Sequence, residues 1–378
     1  MDDVLQRIGV RRVINAVGPA TRLGGIAPDI EVVEAMRSAV SYPVRIDELM
    51  SASGHHLARL LGVPAVYITA GAAAGLALGT AVAIARGDSG LADSLPRTEA
   101  PHGILIQAAH RDPYDRAVEV GGGRLVAVGY PEGTHLGELE RSLTDDVVAV
   151  LHRPGRPGNG ASLREVARVA HERGKLVLVD AAVHVPPADR LAALLDDGAD
   201  LVAMSGGKAF GGPQASGLLC GAPELVSLVG RFHQDMDERA TTWPLPSGDA
   251  TPPRHGVGRI AKVGREQVAG LVVAVERYLE GRSTWLDRGR AELDIAEETL
   301  VRAGVPVRRE RLHSLDVDIL EVTARGDPDV FIHRLRDRAV PVFVGESEVW
   351  RGVLTLNPMG LLAGDGRMLA EAIVEVRG

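Results

Sequence analysis

The chain has 378 residues, 45% of them hydrophobic and 24% charged, which is the composition of a globular protein long enough for two domains. Its formal net charge of −8 argues against general nucleic-acid binding, which needs a concentrated surplus of Lys and Arg. No stretch approaches the roughly 20 uninterrupted apolar residues of a membrane span. The start, MDDVLQRIGVRR, lacks the apolar core of a signal peptide, and the single cysteine, Cys220, lies in the apolar run LLCG with no partner for an internal disulfide. The expectation is a soluble cytoplasmic protein with one buried, reduced thiol.

From about Ala65 to Gly221, short Val/Ile/Leu-rich runs alternate with amphipathic stretches, the pattern of an α/β domain with a mostly parallel sheet and helices on both faces. Seven strands are predicted, at AVYIT, GILIQ, RLVAVG, VVAVLH, LVLVD, DLVAMS and ASGLLCG. Several lack period-two alternation, as strands covered on both faces do. Crossover helices are predicted from Ala72 to Ala85, Pro113 to Val120, Ser162 to Arg173 and Pro187 to Leu195, with Ser162 as N-cap and Glu165 three residues on. Near Asp235 the texture changes to TTWPLPSGDATPPRHGVGR, whose Pro and Gly content predicts a long functional loop. Helices follow from Val263 to Glu280 and Thr284 to Ala303. The remainder predicts a compact α+β lobe: strand SLDVDILEV, helix DPDVFIHRLRDR, strands VPVFV and VWRGVLTL, and helix GRMLAEAIVEV.

Two predicted strands end in residues that carry chemistry, VLVDAA with Asp180 and MSGGKAFGGPQ with Lys208. In an open parallel sheet the crevice beyond the strand carboxyl ends is the usual ligand site, so both side chains would reach the same mouth. Pyridoxal 5'-phosphate (PLP) needs this pair: a lysine amine for its aldehyde and an anion for its protonated ring nitrogen. The Gly-rich TAGAAAGLALGTA adds a phosphate site, because Gly71, Ala72 and Ala73 would open a helix directly after a strand and leave room for backbone N–H groups to meet an anion. Ser205, three residues before Lys208, could add a hydroxyl. There is no G-x-G-x-x-G or Walker lysine. His233, Asp235 and His255 have no regular ligand spacing, so no metal is expected.

The segments INAVGPATRLGG, TAGAAAGLALGTA, HRDPYD, VDAAVHVPP, SGGKAFGGPQASGLL and RHGVGRIAKVGREQVAGLVVAVERYLE form an ordered series over most of the chain. It resembles the aspartate-aminotransferase-fold (fold type I) PLP enzymes related to selenocysteine synthase and, more closely, the D-glucosaminate-6-phosphate ammonia-lyase family. The resemblance implies a Schiff-base role for Lys208, a ring-nitrogen role for Asp180, a phosphate loop at Gly71, Ala72 and Ala73 with Ser205, and ring stacking for His110. Residues 1–45 would form an N-terminal segment contributing to the active site and small lobe, 46–260 a large PLP-binding domain, and 261–378 a small α+β domain. Thr21, Arg22, His255, Arg259 and Arg351 are candidates to meet the substrate, with Arg259 first and Arg351 second for a two-point carboxylate contact. Two departures from the family pattern stand out. Ala70 occupies a position that is commonly Ser, and Ala108–Ala109 stand where the lyase-like relatives tend to have Arg and Gly.

The implied reaction is Cα deprotonation and β-elimination from a small hydroxylated amino acid or amino sugar acid, giving a 2-keto acid and ammonia. Transamination and racemisation start from the same carbanion and stay open. Selenium transfer onto seryl-tRNA would favour an extra basic domain, and a non-catalytic PLP-binding protein would not need both Lys208 and Asp180. A homodimer or assembly of dimers is expected, with neither nucleic acid nor membrane as partner.

Overall fold

The structure is a computed structural model that describes residues 4–154, 160–182, 188–234, 237, 239, 255–312 and 316–377. Most of the Pro/Gly-rich loop expected after Asp235 lies outside the described residues, as do His184 and its neighbours in the VDAAVHVPP segment. The chain divides into two compact units, residues 31–279 and a smaller one made from residues 1–30 and 280–378. This partition differs from the boundaries at 45 and 260 read from the sequence. The larger unit takes in both the helix Ile46–Leu61 with the segment before it and the helix Arg265–Leu279.

Twelve strands run in chain order: β1 Ile14–Ala16, β2 Ala65–Thr69, β3 Gly103–Gln107, β4 Arg124–Val128, β5 Val147–His152, β6 Leu176–Asp180, β7 Leu201–Ser205, β8 Gly217–Gly221, β9 Val307–Leu312, β10 Val317–Thr323, β11 Val342–Val344 and β12 Val353–Leu356. In the larger unit all seven strands expected from the sequence join one sheet in the order β2-β8-β7-β6-β5-β3-β4. The pairs from β7 to β4 are parallel, and β8 runs antiparallel to both its neighbours. Every residue of β3 and β8 is buried, whereas the edge strand β4 is largely not. Cys220 is buried in β8, where loss of water pushes its thiol up to about 12.

The helix Ala72–Ala85 is buried at twelve of its fourteen residues, so it has no solvent face to mark with polar residues. Its small residues let it press against its surroundings: a Cβ at Gly75 would lie 3.2 Å from that of Ala203. The helix Leu163–Glu172 starts as expected, with a reciprocal capping box between Ser162 and Glu165. The stretch from Pro113 to Val120 is a 3-10 turn, Pro113–Asp115, followed by the short helix Arg116–Val120.

In the smaller unit β9, β10 and β12 form an antiparallel sheet ordered β12-β10-β9, and β1 pairs in parallel with β11. Its core gathers Ile14, Leu293, Leu320, Phe331, Leu356 and Leu369. Strand β9, VRRERL, had no apolar alternation to reveal it. Its arginines are held by carboxylates instead: Arg308 by Glu321, Arg309 by Asp294, and Arg311 by Asp318.

Candidate functional site

Because β2 and β7 are both antiparallel to β8, they run in the same direction, and β6, β5, β3 and β4 run with them. The segments leaving β2, β3, β5, β6 and β7 therefore open at one edge of the sheet. They carry Gly71, His110, Arg153, Asp180 and Lys208 in that strand order.

After β2, the Thr69 hydroxyl donates to the Gly71 carbonyl at 2.9 Å, and Gly71 turns the chain into the helix Ala72–Ala85 with φ +113°. That dihedral disfavours any residue with a Cβ. Gly217 lies opposite both Thr69 and Ser205 in the ladders, and a Cβ on it would come within 2.6 Å of the Gly71 carbonyl carbon. Ser205 is thus two strand spacings from Thr69, about 10 Å. The helix is buried except at its opening turn, where Gly71 and Ala74 are half-buried and Ala73 is exposed. Its first N–H groups and the positive end of its dipole face the same edge as Ser205.

Asp180 ends β6 as a buried carboxylate, 9% exposed, and its environment is the main finding that the sequence did not disclose. The Arg153 Nε donates to Asp180 Oδ2 at 2.9 Å, and the Ala182 N–H donates to Oδ1 at 3.1 Å. Arg153 is itself buried, 8% exposed. Its Nη1 donates to Asp115 Oδ1 at 2.7 Å and to the His110 carbonyl at 2.5 Å. Its backbone N–H donates to His110 Nδ1 at 3.3 Å, and Nη2 is buried with no hydrogen-bond partner among the described residues. Burial of Asp115 opposes its ionisation, but the hydrogen bonds from Arg153 and Arg111 outweigh this and hold its carboxyl below the usual range. Burial likewise opposes the charge on the Arg153 guanidinium, but the Asp115 and Asp180 carboxylates outweigh it and hold the group charged. The buried His110 ring meets His152 edge-on, with centroids 4.7 Å apart. Arg153 follows β5 directly; a charged residue at the carboxyl end of an apolar run was the available signal for it.

Lys208 sits in the turn after β7, half-buried. The glycines around it allow the turn to fold tightly on Ser216, with Gly206 N–H donating to the Ser216 carbonyl at 2.8 Å and Gly212 N–H to that of Gly206 at 2.9 Å. Burial lowers the proton affinity of the Lys208 amine, and the Asp180 and Asp112 carboxylates oppose this only in part. A larger share of free amine results, which is the nucleophilic form.

Of the substrate candidates, Arg259 is half-buried in the 3-10 helix Val257–Ala261, and His255 is exposed just before it. Thr21 and Arg22 lie in the exposed 3-10 turn Thr21–Leu23 of the smaller unit, with Arg22 3.9 Å from Glu346. Arg351 belongs to the same unit, exposed, 3.4 Å from Glu348 and beside the Trp350 ring. His233 has both ring nitrogens engaged inside the protein, Nδ1 with the Tyr67 hydroxyl at 2.9 Å and Nε2 with the Ala261 carbonyl at 2.9 Å. Asp235 lies outside the described residues.

The sheet edge thus offers three things in the larger unit: an amine with lowered proton affinity, a buried carboxylate hydrogen-bonded to an arginine, and a helix N-terminus beside a hydroxyl. This donor set fits the aldehyde, ring nitrogen and phosphate of PLP. The fold is that of the fold type I PLP enzymes, whose neighbours here include a serine palmitoyltransferase structure with bound PLP and a cysteine desulfurase structure. No family model matches the chain. It is homologous to a D-glucosaminate-6-phosphate ammonia lyase from Salmonella typhimurium, 26% identical over 396 residues, covering 99% of this chain and 98% of that protein. A solved structure of a D-glucosaminate-6-phosphate ammonia-lyase superposes with a TM-score of 0.82 at 24% identity, covering 100% of this chain and 98% of the other. A 5'-C-glycyluridine monooxygenase-decarboxylase from Streptomyces sp is 30% identical over 283 residues, 72% of this chain and 64% of that protein. Among the described residues no helix is long and apolar enough to cross a membrane.

Proposed function

We propose that this protein is a PLP-dependent carbon–nitrogen lyase that converts a hydroxylated amino acid or amino sugar acid into a 2-keto acid and ammonia. The observation that carries the reading is the end-to-end match to an ammonia lyase in a chain whose Asp180 and Lys208 leave neighbouring strands at one sheet edge. PLP supplies an aldehyde for the substrate amine and a ring that accepts the charge left at Cα. Lys208 would hold that aldehyde and, once displaced by substrate, take the Cα proton on Nζ. Asp180 would hold the ring nitrogen. Gly71, Ala72, Ala73 and Ser205 would receive the phosphate, and His110 would lie against the ring. Arg259 or Arg351 would hold the substrate carboxylate by a planar two-point contact, with Thr21, Arg22 and His255 as further substrate contacts.

Loss of the Cα proton expels the β-hydroxyl as water; adding water back across the carbon–nitrogen bond then releases ammonia and the keto acid. Ala70 brings no hydroxyl to the phosphate loop, and Ala108 brings no guanidinium toward the substrate, which favours a substrate whose distal group is bound differently or lacks a phosphate. The assay follows ammonia and keto acid from β-hydroxy amino acids and amino sugar acids with no amino acceptor added. Product only when a keto acid acceptor is supplied would make it an aminotransferase, and solvent deuterium entering Cα without product would make it a racemase. The Streptomyces relative favours a second reading, oxygen-dependent decarboxylation, which consumption of O2 with release of CO2 would identify. The reading includes a cytoplasmic homodimer or assembly of dimers.

A further inference from the structure

We propose that Arg153 is a positioning residue that, balanced by Asp115, sets how strongly the cofactor's ring nitrogen holds its proton. The proposal rests on the reading above, in which Asp180 meets that nitrogen. Arg153, Asp180 and Asp115 form a buried chain of one cation between two carboxylates, joined at 2.9 and 2.7 Å. A ring nitrogen at Asp180 therefore faces an anion already shared with a guanidinium. The shared carboxylate attracts a ring proton less than a free one would, and the second carboxylate returns part of that attraction.

The formal charge of the chain is −1 before a ring proton is added and neutral after it. Removing Arg153 makes the starting charge −2, and removing the Asp115 charge makes it zero. Opposite charges within a few ångströms favour protonation and like charges disfavour it, so the two substitutions act in opposite directions on the same proton. Among the described residues, the groups around the chain are Arg111 on the outer side of Asp115, His110 and His152 beside the Arg153 backbone, and Lys208 with Asp112 on the Asp180 side. The arginine is not there merely to fill space. Its Nε and Nη1 are both committed to carboxylates, Nη1 also holds the carbonyl of His110, and no apolar residue could orient the three together.

The test is the protonation of ring nitrogen in holoenzyme reconstituted with nitrogen-15-labelled PLP, read by nitrogen-15 chemical shift against pH. Relative to the native protein, Arg153→Met should raise the pH at which the ring proton leaves by about one unit or more, and Asp115→Asn should lower it by a similar amount. Arg153→Lys, which keeps the charge, should restore most of the native value. Shifts of the same sign in Met and Asn variants, or none in either, would overturn the proposal, since a merely structural role would not give opposite signs. If Arg153→Met does not fold, Asp115→Asn and Arg153→Lys decide the outcome by themselves. Borohydride reduction of each sample separates the two readings. A reduced adduct on Lys208 with unchanged ring titration sinks only the role of Arg153; absence of any Lys208 adduct in the native protein sinks the cofactor reading and this proposal with it.

Discussion

At the scale of residues, the candidate site is a small set of charges whose values depend on one another. Lys208→Ala should abolish the borohydride-fixable adduct and lower turnover by about 10²–10⁴-fold, the loss expected when a general base is removed. Retention of an adduct on another lysine, found by peptide mapping, would remove Lys208 from its role. Asp180→Asn should leave the far-ultraviolet circular dichroism native while lowering kcat by about 10²–10³-fold, because a neutral amide cannot stabilise the ring proton. Asp115 gives a pH dependence with a definite sign. Its folded carboxyl titrates below its unfolded one, so its contribution to stability is fully present above the unfolded value and is lost as pH falls through the folded value. The stability gap between native protein and Asp115→Asn, measured by urea unfolding of the apoprotein, should be full at neutral pH and close in acid. Arg153→Met strips the cation from two buried carboxylates and should cost about 3–5 kcal/mol in the same assay.

At the scale of elements, the site depends on how closely the turn after β2 approaches β8. Gly217 is the tightest point, 2.6 Å from both the Gly71 carbonyl carbon and the Met204 carbonyl oxygen for an added Cβ. Both neighbours are backbone atoms, Met204 in β7 and Gly71 in the turn after β2, so neither can rotate away as a side chain could. Gly217→Ala should cost about 1–3 kcal/mol by overpacking and push the Gly71 turn out of line. A fall in thermal midpoint together with faster loss of PLP on dialysis is the expected result; a variant that is destabilised but holds PLP normally would show that the turn does not serve the cofactor.

At the scale of the whole molecule, the smaller unit is built from both ends of the chain. Strand β1 pairs with β11, and Asn357 N–H donates to the Ala16 carbonyl at 2.9 Å, so the amino-terminal strand completes a core otherwise formed after residue 280. Deleting residues 1–18 should therefore make the 280–378 region susceptible to limited proteolysis while fragments spanning 31–279 persist. Equal protection of both regions would contradict this coupling. Light scattering of the holoenzyme should give a dimer or a multiple of it, and a fully active monomer would count against that part of the proposed assembly.

The amino-acid sequence by itself determined the seven strands of the large sheet, because their apolar runs are dense, punctuated by Gly, Pro and Asp, and separated by helix-length spacers. It also exposed Asp180 and Lys208, since both are ionisable residues at the ends of apolar strands. It did not disclose β1, the helices Ile30–Ala39 and Ile46–Leu61, or β9. In β9 the stabilising partners are carboxylates on Glu321, Asp294 and Asp318, and their closeness is a property of the folded chain. The same holds for the chain of charge from Asp115 through Arg153 to Asp180. These residues are far apart in sequence, Asp115 and Arg153 are not marked out in their own segments as Asp180 is, and only parallel pairing of neighbouring strands brings the three within hydrogen-bonding distance. Residue type is local, so the sequence could name the groups able to do chemistry; the strength with which each holds a proton comes from burial and neighbours, and those exist only once the sheet has formed.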